Sequence, residues 1–147
     1  MTRYTQILMI CAMVAGFGLA TAAATTAAHA QSDGFDPLRE DETIHQGLTV
    51  ISIGRLIRNH CPTLDAKRFQ SFAFAQGLVN RGHALGFSRA QMEAYVDSDT
   101  DRDRYRAIAN AYLSQRGASV NEPESVCQLG RDEISSGSAI GRLLREV

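Results

Sequence analysis

Apolar positions recur every three to four residues along most of the chain from Leu38 onward. No stretch alternates convincingly with period two, so the pattern predicts helices and no sheet. Ile44, Leu48 and Ile51, widened by Ile53, Leu56 and Ile57, mark a long first helix over about 39–60. Its acidic run Glu40, Asp41 and Glu42 falls in the first turn and Arg55, Arg58 and His60 near the last, as the helix dipole favours, and Pro62 blocks continuation. A second helix over about 64–85 carries Phe69, Phe72, Phe74, Leu78 and Val79 and is apolar on most sides. That distribution predicts a central helix buried on several faces, with Ala73, Ala75 and Gly77 letting neighbours approach. Gly86 ends it, and Ser88-x-x-Gln91 forms a capping box for a short third helix over about 89–97. The fourth, about 101–115, has its stripe at Tyr105, Ile108, Ala109 and Tyr112 and stops at Gly117. A fifth opens near Asn121 with Pro123 in its first turn and ends at Gly137, and Ser138 caps a short last helix. The expected fold is all-α, a compact bundle of five to six helices closed around the second.

The first thirty residues read differently. Arg3 gives a positive start, Ile7 to Ala20 is uncharged and apolar, and Ala28-His29-Ala30 places small residues before Gln31. These features predict a secretory signal peptide over 1–30, cut between Ala30 and Gln31. The other reading, a retained membrane anchor, is disfavoured by the Ala/Gly/Thr-rich second half and the cleavage motif. Cys11 sits mid-segment, without the setting of a lipoprotein cysteine. Residues 31–37 form a polar lead-in, and 38–147 a single domain.

Cleavage changes charge and cysteine count. Removing residues 1–30 from the 147-residue chain leaves 117, and loss of Arg3 takes the basic count from 15 to 14 against 16 acids. A net of −2 leaves no basic surplus for nucleic acid, and no polybasic segment addresses anionic lipid. Cys61 and Cys127 remain, an even pair in an oxidising compartment, for which a disulfide is expected. Two reactive thiols are the alternative, and no Cys-x-x-Cys supports it. The expected location is the periplasm.

Candidate chemistry is sparse. "DSDTDRD" sets Asp97, Asp99 and Asp101 at the spacing that opens a calcium loop. Arg102 stands where the sharp turn needs glycine, and Ile108 where a bidentate glutamate belongs. The three aspartates are a weak metal candidate at most, and a solvated helix start accounts for them. His45, His60 and His83 fall on different helices with no zinc spacing. No nucleophile elbow or metalloprotease motif is present. "SSGSAIGR" lacks a P-loop ending and reads as a helix–turn–helix joint. Catalytic residues and cofactors are therefore expected to be none, although two carboxylates converging in space would leave no trace in sequence.

"GLTVISIGRLIRNHC", "GFSRAQMEAYVDSD", "YLSQRG" and "CQLGRDEISSGSAIGRLL" resemble a domain-of-unknown-function family of small exported alphaproteobacterial proteins. The resemblance covers about 38–145, and its most specific parts are Cys61, Cys127 and Gly137-Ser138-x-Ile140-Gly141-x-Leu143. It transfers no activity and no catalytic residue. It implies an accessory role linked to an inner-membrane respiratory complex, with an envelope or inner-membrane protein as partner and no membrane span after cleavage. A non-enzymatic interaction protein is the leading expectation, which an exposed apolar patch would favour. The alternative is a small-ligand or cell-wall-binding protein or enzyme with dispersed acids, which a polar pocket with raised carboxylate pKa values would favour. A structural or stress-protective envelope protein is a third class. Composition and spacing leave the oligomeric state open.

Overall fold

The computed structural model of the chain describes residues 33–147. The expected signal peptide and its Ala30/Gln31 junction lie outside the described residues. Within them six α-helices follow one another: α1 Asp36–Glu40, α2 Glu42–His60, α3 Arg68–Ala84, α4 Arg89–Asp97, α5 Asp99–Gln115 and α6 Pro123–Ser136. A disulfide joins Cys61 to Cys127 across 66 residues, with Cα atoms 5.0 Å apart. The all-α fold with one disulfide is as the periodicity and cysteine count predicted.

The expectation of no sheet is wrong in one place. Strands β1 Leu64–Ala66 and β2 Leu144–Glu146 pair antiparallel, with Leu64 opposite Glu146 and Ala66 opposite Leu144. Cys61 is pinned by the disulfide and Pro62 cannot extend α2, so the chain leaves the helix extended and Leu64 drops into the core. The C-terminal segment supplies the matching edge. Lys67 N–H donates to the Leu143 carbonyl at 2.8 Å and Val147 N–H to Thr63 at 3.1 Å. The second helix accordingly begins at Arg68, and the last predicted helix is a single 3₁₀ turn, Gly141–Leu143.

The long first helix is also two helices. Asp41 is extended (φ −71°, ψ 116°) and its carboxylate accepts from Ile44 N–H at 3.0 Å, so the acid caps α2 instead of riding in its first turn. Asp36 and Pro37, read as lead-in from sequence, form the start of α1, and Phe35 packs on Tyr95 with ring centroids 5.6 Å apart. The capping box at Ser88 forms in both directions, at 3.3 and 2.9 Å.

Helix α2, not α3, is the centre. It packs against α1, α3, α5, α6 and β1. One apolar cluster surrounds the disulfide, with Ile53, Ile57, Leu64, Leu113 and Val126; the other gathers Leu38, Ile44, Leu78, Met92, Tyr95 and Tyr105. Of the whole of α3 only Leu78 and Gly82 are buried. Leu78 lies so close to Gly47 that a Cβ there would overlap it, whereas Gly77 faces open space. The close approach comes from a glycine of α2 and not from the small residues of α3.

The C-terminal Gly-Ser-x-Ile-Gly motif is structural. Gly137 takes the left-handed conformation (φ 64°) that ends α6, and the Ser138 hydroxyl accepts from Gly141 N–H at 3.0 Å. A Cβ at Gly141 would overlap the Glu133 carbonyl, which is backbone and cannot rotate away. Gly141→Ala is therefore expected to cost about 2 kcal/mol, read as a lower urea midpoint at unchanged slope, because the turn that seats Leu143 and Leu144 must back off.

Candidate functional site: a cation-lined groove beside an exposed aromatic face

Turn by turn, α3 presents Phe69, Phe72, Ala73, Gln76, Gly77 and Asn80 on one side, the i, i+3, i+4 pattern of a single helix face. That side points to solvent except at Gln76, which is half-buried and accepts from Arg89 Nη2 at 3.4 Å. Phe69 is 88% and Phe72 70% exposed, among the few large apolar side chains so placed in the described chain. Leaving a phenylalanine in water forgoes roughly 1.5–3 kcal/mol of burial each. The predicted burial of α3 on several faces thus holds for one face only. Periodicity cannot separate an apolar face that meets the core from one that meets water.

Next to this face the surface is concave. A groove of about 320 Å³ runs between α2 and α3 over the C-terminal strand, lined by Gly54, Arg55, Arg58, Ser71, Ala75 and Leu144. Its α2 wall is the stripe 51, 54, 55 and 58. On α3, Ser71 and Ala75 share a stripe with Arg68 and Phe72 by the same spacing. Beyond Ile51 and Arg55, which line both, a second groove of about 330 Å³ lies between α2 and α5, with Leu48, Leu56, Tyr105, Arg102 and Arg106.

Eight arginines of the described chain reach a carboxylate: Arg39, Arg81, Arg89, Arg102, Arg106, Arg116, Arg131 and Arg145. Arg55, Arg58, Lys67, Arg68, Arg104 and Arg142 do not, among the described residues; of these Arg55 and Arg58 line the α2–α3 groove, and Lys67 and Arg68 follow its lining residue Ala66 in sequence. The first turn of α3 carries no acid, so the positive end of that helix dipole adds to theirs. From sequence Arg55 and Arg58 read only as complements to the dipole of their own helix.

The aspartate ladder comes apart in space. Asp97 ends α4 in solvent, and Asp99 makes an exposed 3.4 Å pair with Arg102. Asp101 is 1% exposed and accepts from Arg39 Nε at 3.0 Å, Arg39 Nη2 at 2.8 Å and the Ser98 hydroxyl at 2.7 Å. No group of three or more His, Cys, Asp or Glu side chains among the described residues is placed to hold a metal. Asp103 pairs with Arg106 at 2.8 Å, as its three-residue spacing predicts, but Asp101 takes a partner 62 residues away. His60 and His83 each turn Nδ1 to a backbone carbonyl of their own neighbourhood, at 2.9 and 2.8 Å, and His45 lies 3.4 Å from the Tyr105 hydroxyl.

The electrostatics are those of structural pairs. Hydrogen bonds from Arg39 hold Asp33 down to about 2, and those from Arg81 lower Asp41. The Ala66 backbone N–H and then Arg145 lower Asp65. Burial pushes Asp101 up, but the bonds from Arg39 and Ser98 and the arginine's charge outweigh it, and its carboxyl titrates below the ordinary range. A general acid needs the opposite displacement. Burial raises Tyr95 and Tyr105, whose hydroxyls meet at 3.2 Å, so neither is a ready nucleophile. Glu133, buried on α6, accepts from the Tyr112 hydroxyl and faces Arg116 at 3.7 Å.

Fold and surface together define a small disulfide-tied helical domain with an open, cation-lined groove. The chain belongs to the family of unknown function DUF5333, which matches residues 36–145. No curated protein and no solved structure matches it. None of the helices among the described residues is long and apolar enough to cross a membrane.

Proposed function

We propose that the chain is an exported, non-enzymatic accessory protein of the bacterial envelope that docks on a partner through the outer face of α3. The observation that carries this reading is the exposure of Phe69 and Phe72, which the rest of the described chain leaves largely uncovered. Contiguous apolar surface of this kind is characteristic of association sites. The Cys61–Cys127 disulfide supports export, since such bonds persist in oxidising compartments. Residues 1–30, read as a cleaved signal peptide, would direct the chain to the periplasm, and a complex at the inner membrane, respiratory or other, is where the partner is sought.

The test is a cross-linked pull-down of the tagged protein from whole envelopes, beside a Phe69→Ser, Phe72→Ser variant. Stoichiometric recovery of one complex by the native protein, reduced at least about tenfold in the variant at an unchanged melting temperature, is the expected result. Equal recovery by both proteins removes the α3 face from the account. A second reading, a small-ligand binding protein, has the α2–α5 groove in its favour, where Arg55, Arg102 and Arg106 over Leu48 and Leu56 fit an anionic ligand with an apolar body.

A further inference from the structure

We infer that the groove between α2 and α3 seats an acidic amphipathic helix of the partner, its apolar side down and its carboxylates toward Arg55 and Arg58. The inference rests on the reading of the α3 face as a docking surface and names the chemistry of what docks there. Three features of the surface lead to it. The first is shape. Ile51, Gly54, Arg55 and Arg58 form one i, i+3, i+4, i+7 stripe of α2, and Arg68, Ser71, Phe72 and Ala75 form another on α3. The helices touch where Leu78 meets Gly47, and the groove lies toward the start of α3, floored by Ala66, Leu143 and Leu144. Two helical stripes flanking an apolar floor make the setting that a third helix fills.

The second is chemistry across the groove. Its small members, Gly54, Ala66 and Ala75, leave room for side chains from above, over Leu143 and Leu144 of the domain's own core, with Phe72 on the stripe that forms the outer wall. The third is charge. Six cations of the described chain lack a carboxylate partner. Arg104 lies over the Tyr105 ring and Arg142 donates to the Gly137 carbonyl. Of the other four, Arg55 and Arg58 line this groove, and Lys67 and Arg68 follow its floor residue Ala66 in sequence. Arg58 reaches only Asn59, and Arg68 only the field of Asp65. Unpaired guanidiniums at the wall of an apolar groove select a partner that brings carboxylates, because desolvating them against a neutral surface is unfavourable.

The same observations disfavour two other occupants. A second copy related by a twofold axis would bring the same patch, with the same Arg55 and Arg58, against itself. A bilayer is planar at this scale and does not follow the concave wall between α2 and α3.

The inference is tested with two synthetic helical peptides of about 18 residues, or five turns, carrying the same Leu/Ala stripe and either Glu or Lys on the outer face. Their binding to the purified protein is followed by fluorescence anisotropy. The acidic peptide is expected to bind, at least about tenfold more tightly than the basic one, and to weaken severalfold as salt rises through physiological strength, where the Debye length is about 8 Å. Arg55→Glu with Arg58→Glu, both exposed and so compatible with the fold, is expected to lower acidic-peptide affinity at least about tenfold at unchanged circular dichroism. Phe72→Ser weakens it as well. Absence of acidic-peptide binding at millimolar concentration overturns the inference. So does equal binding of both peptides, or indifference to the arginine reversal. If Phe72→Ser still blocks envelope capture in those cases, the docking face stands and only the partner chemistry fails. Cosedimentation with phosphatidylglycerol vesicles without peptide binding, or a Phe72-dependent dimer in light scattering, would replace the helix by a membrane or by a second copy.

Discussion

Replacing Cys61 and Cys127 together by serine is expected to lower the unfolding free energy by about 4 kcal/mol. The bond closes a loop of 66 residues, and the chain-entropy treatment assigns roughly that stabilisation to a loop of this length. For a domain of this size the loss is a large part of a total of about 5–15 kcal/mol. At about 4 °C per kcal/mol it corresponds to a melting temperature lower by roughly 15 °C. The local environment sharpens the expectation. Both sulfurs are buried among Ile57, Leu64 and Val126, so the replacing hydroxyls must find partners there. Thr63 Oγ1, 3.3 Å from Cys61 Sγ and 3.9 Å from Cys127 Sγ, can serve one of them. The bond also holds the exit of α2 against α6, the junction at which the chain turns into β1. Thermal melts of oxidised, reduced and double-serine protein check this. A fall under about 1 kcal/mol would mean that the unfolded chain is already compact near these residues.

The parts of this fold that sequence made legible are those set by local chemistry. Ser88 and Gln91 answer each other across three residues, and Gly86 and Gly137 adopt the positive φ that ends a helix. These signals act within one turn and need no knowledge of the rest of the chain. What sequence hid depends on pairing at a distance. β1 and β2 are three residues each, about 80 residues apart, too short for alternation to register. The break at Asp41 looked like an acidic first turn, because a capping carboxylate and a dipole-compensating one are the same residue in one dimension.

The candidate surface was hidden for a related reason. An all-round apolar helix has two physical solutions, burial in its own domain or burial against something else, and the phenylalanines of α3 divide between them. Phe74 turns toward the Leu78 cluster while Phe69 and Phe72 do not. The cations of the groove gave no signal because arginine near a helix C-terminus already has an explanation. Only the absence of a carboxylate partner at Arg55 and Arg58, visible in three dimensions, sets them apart from the eight paired arginines.

Asp101→Ala is expected to cost about 3 kcal/mol, the lower end of what removing one partner of a buried pair costs. Asp101 is almost wholly enclosed, and its carboxylate binds Arg39 through two nitrogens while accepting the Ser98 hydroxyl. It thereby ties α1 to the start of α5. Alanine leaves the guanidinium, 20% exposed and 5.8 Å from the Tyr95 ring centroid, without its buried partner; Arg39 keeps Asp33 and Asp36 at the surface, which limits the loss. The pH dependence separates this ionic contribution from packing. The folded pKa of Asp101 is lowered, so its stabilisation is complete above the unfolded carboxyl value of about 3.9 and disappears as pH falls through the folded value. The stability gap between native and Asp101→Ala protein should be flat from about pH 5 to 7 and narrow below about 4. Asp41, held by Arg81, is lowered in both proteins and cancels from the difference, whereas Asp33 shares Arg39 with Asp101 and its own shift is part of the gap that is measured. Urea titrations at neutral and acid pH measure it, with Asp101→Asn as the control that keeps the shape and removes the charge. A gap that stays constant into acid would mean that the carboxylate acts by filling space, and the link from α1 to α5 would then be steric instead of ionic.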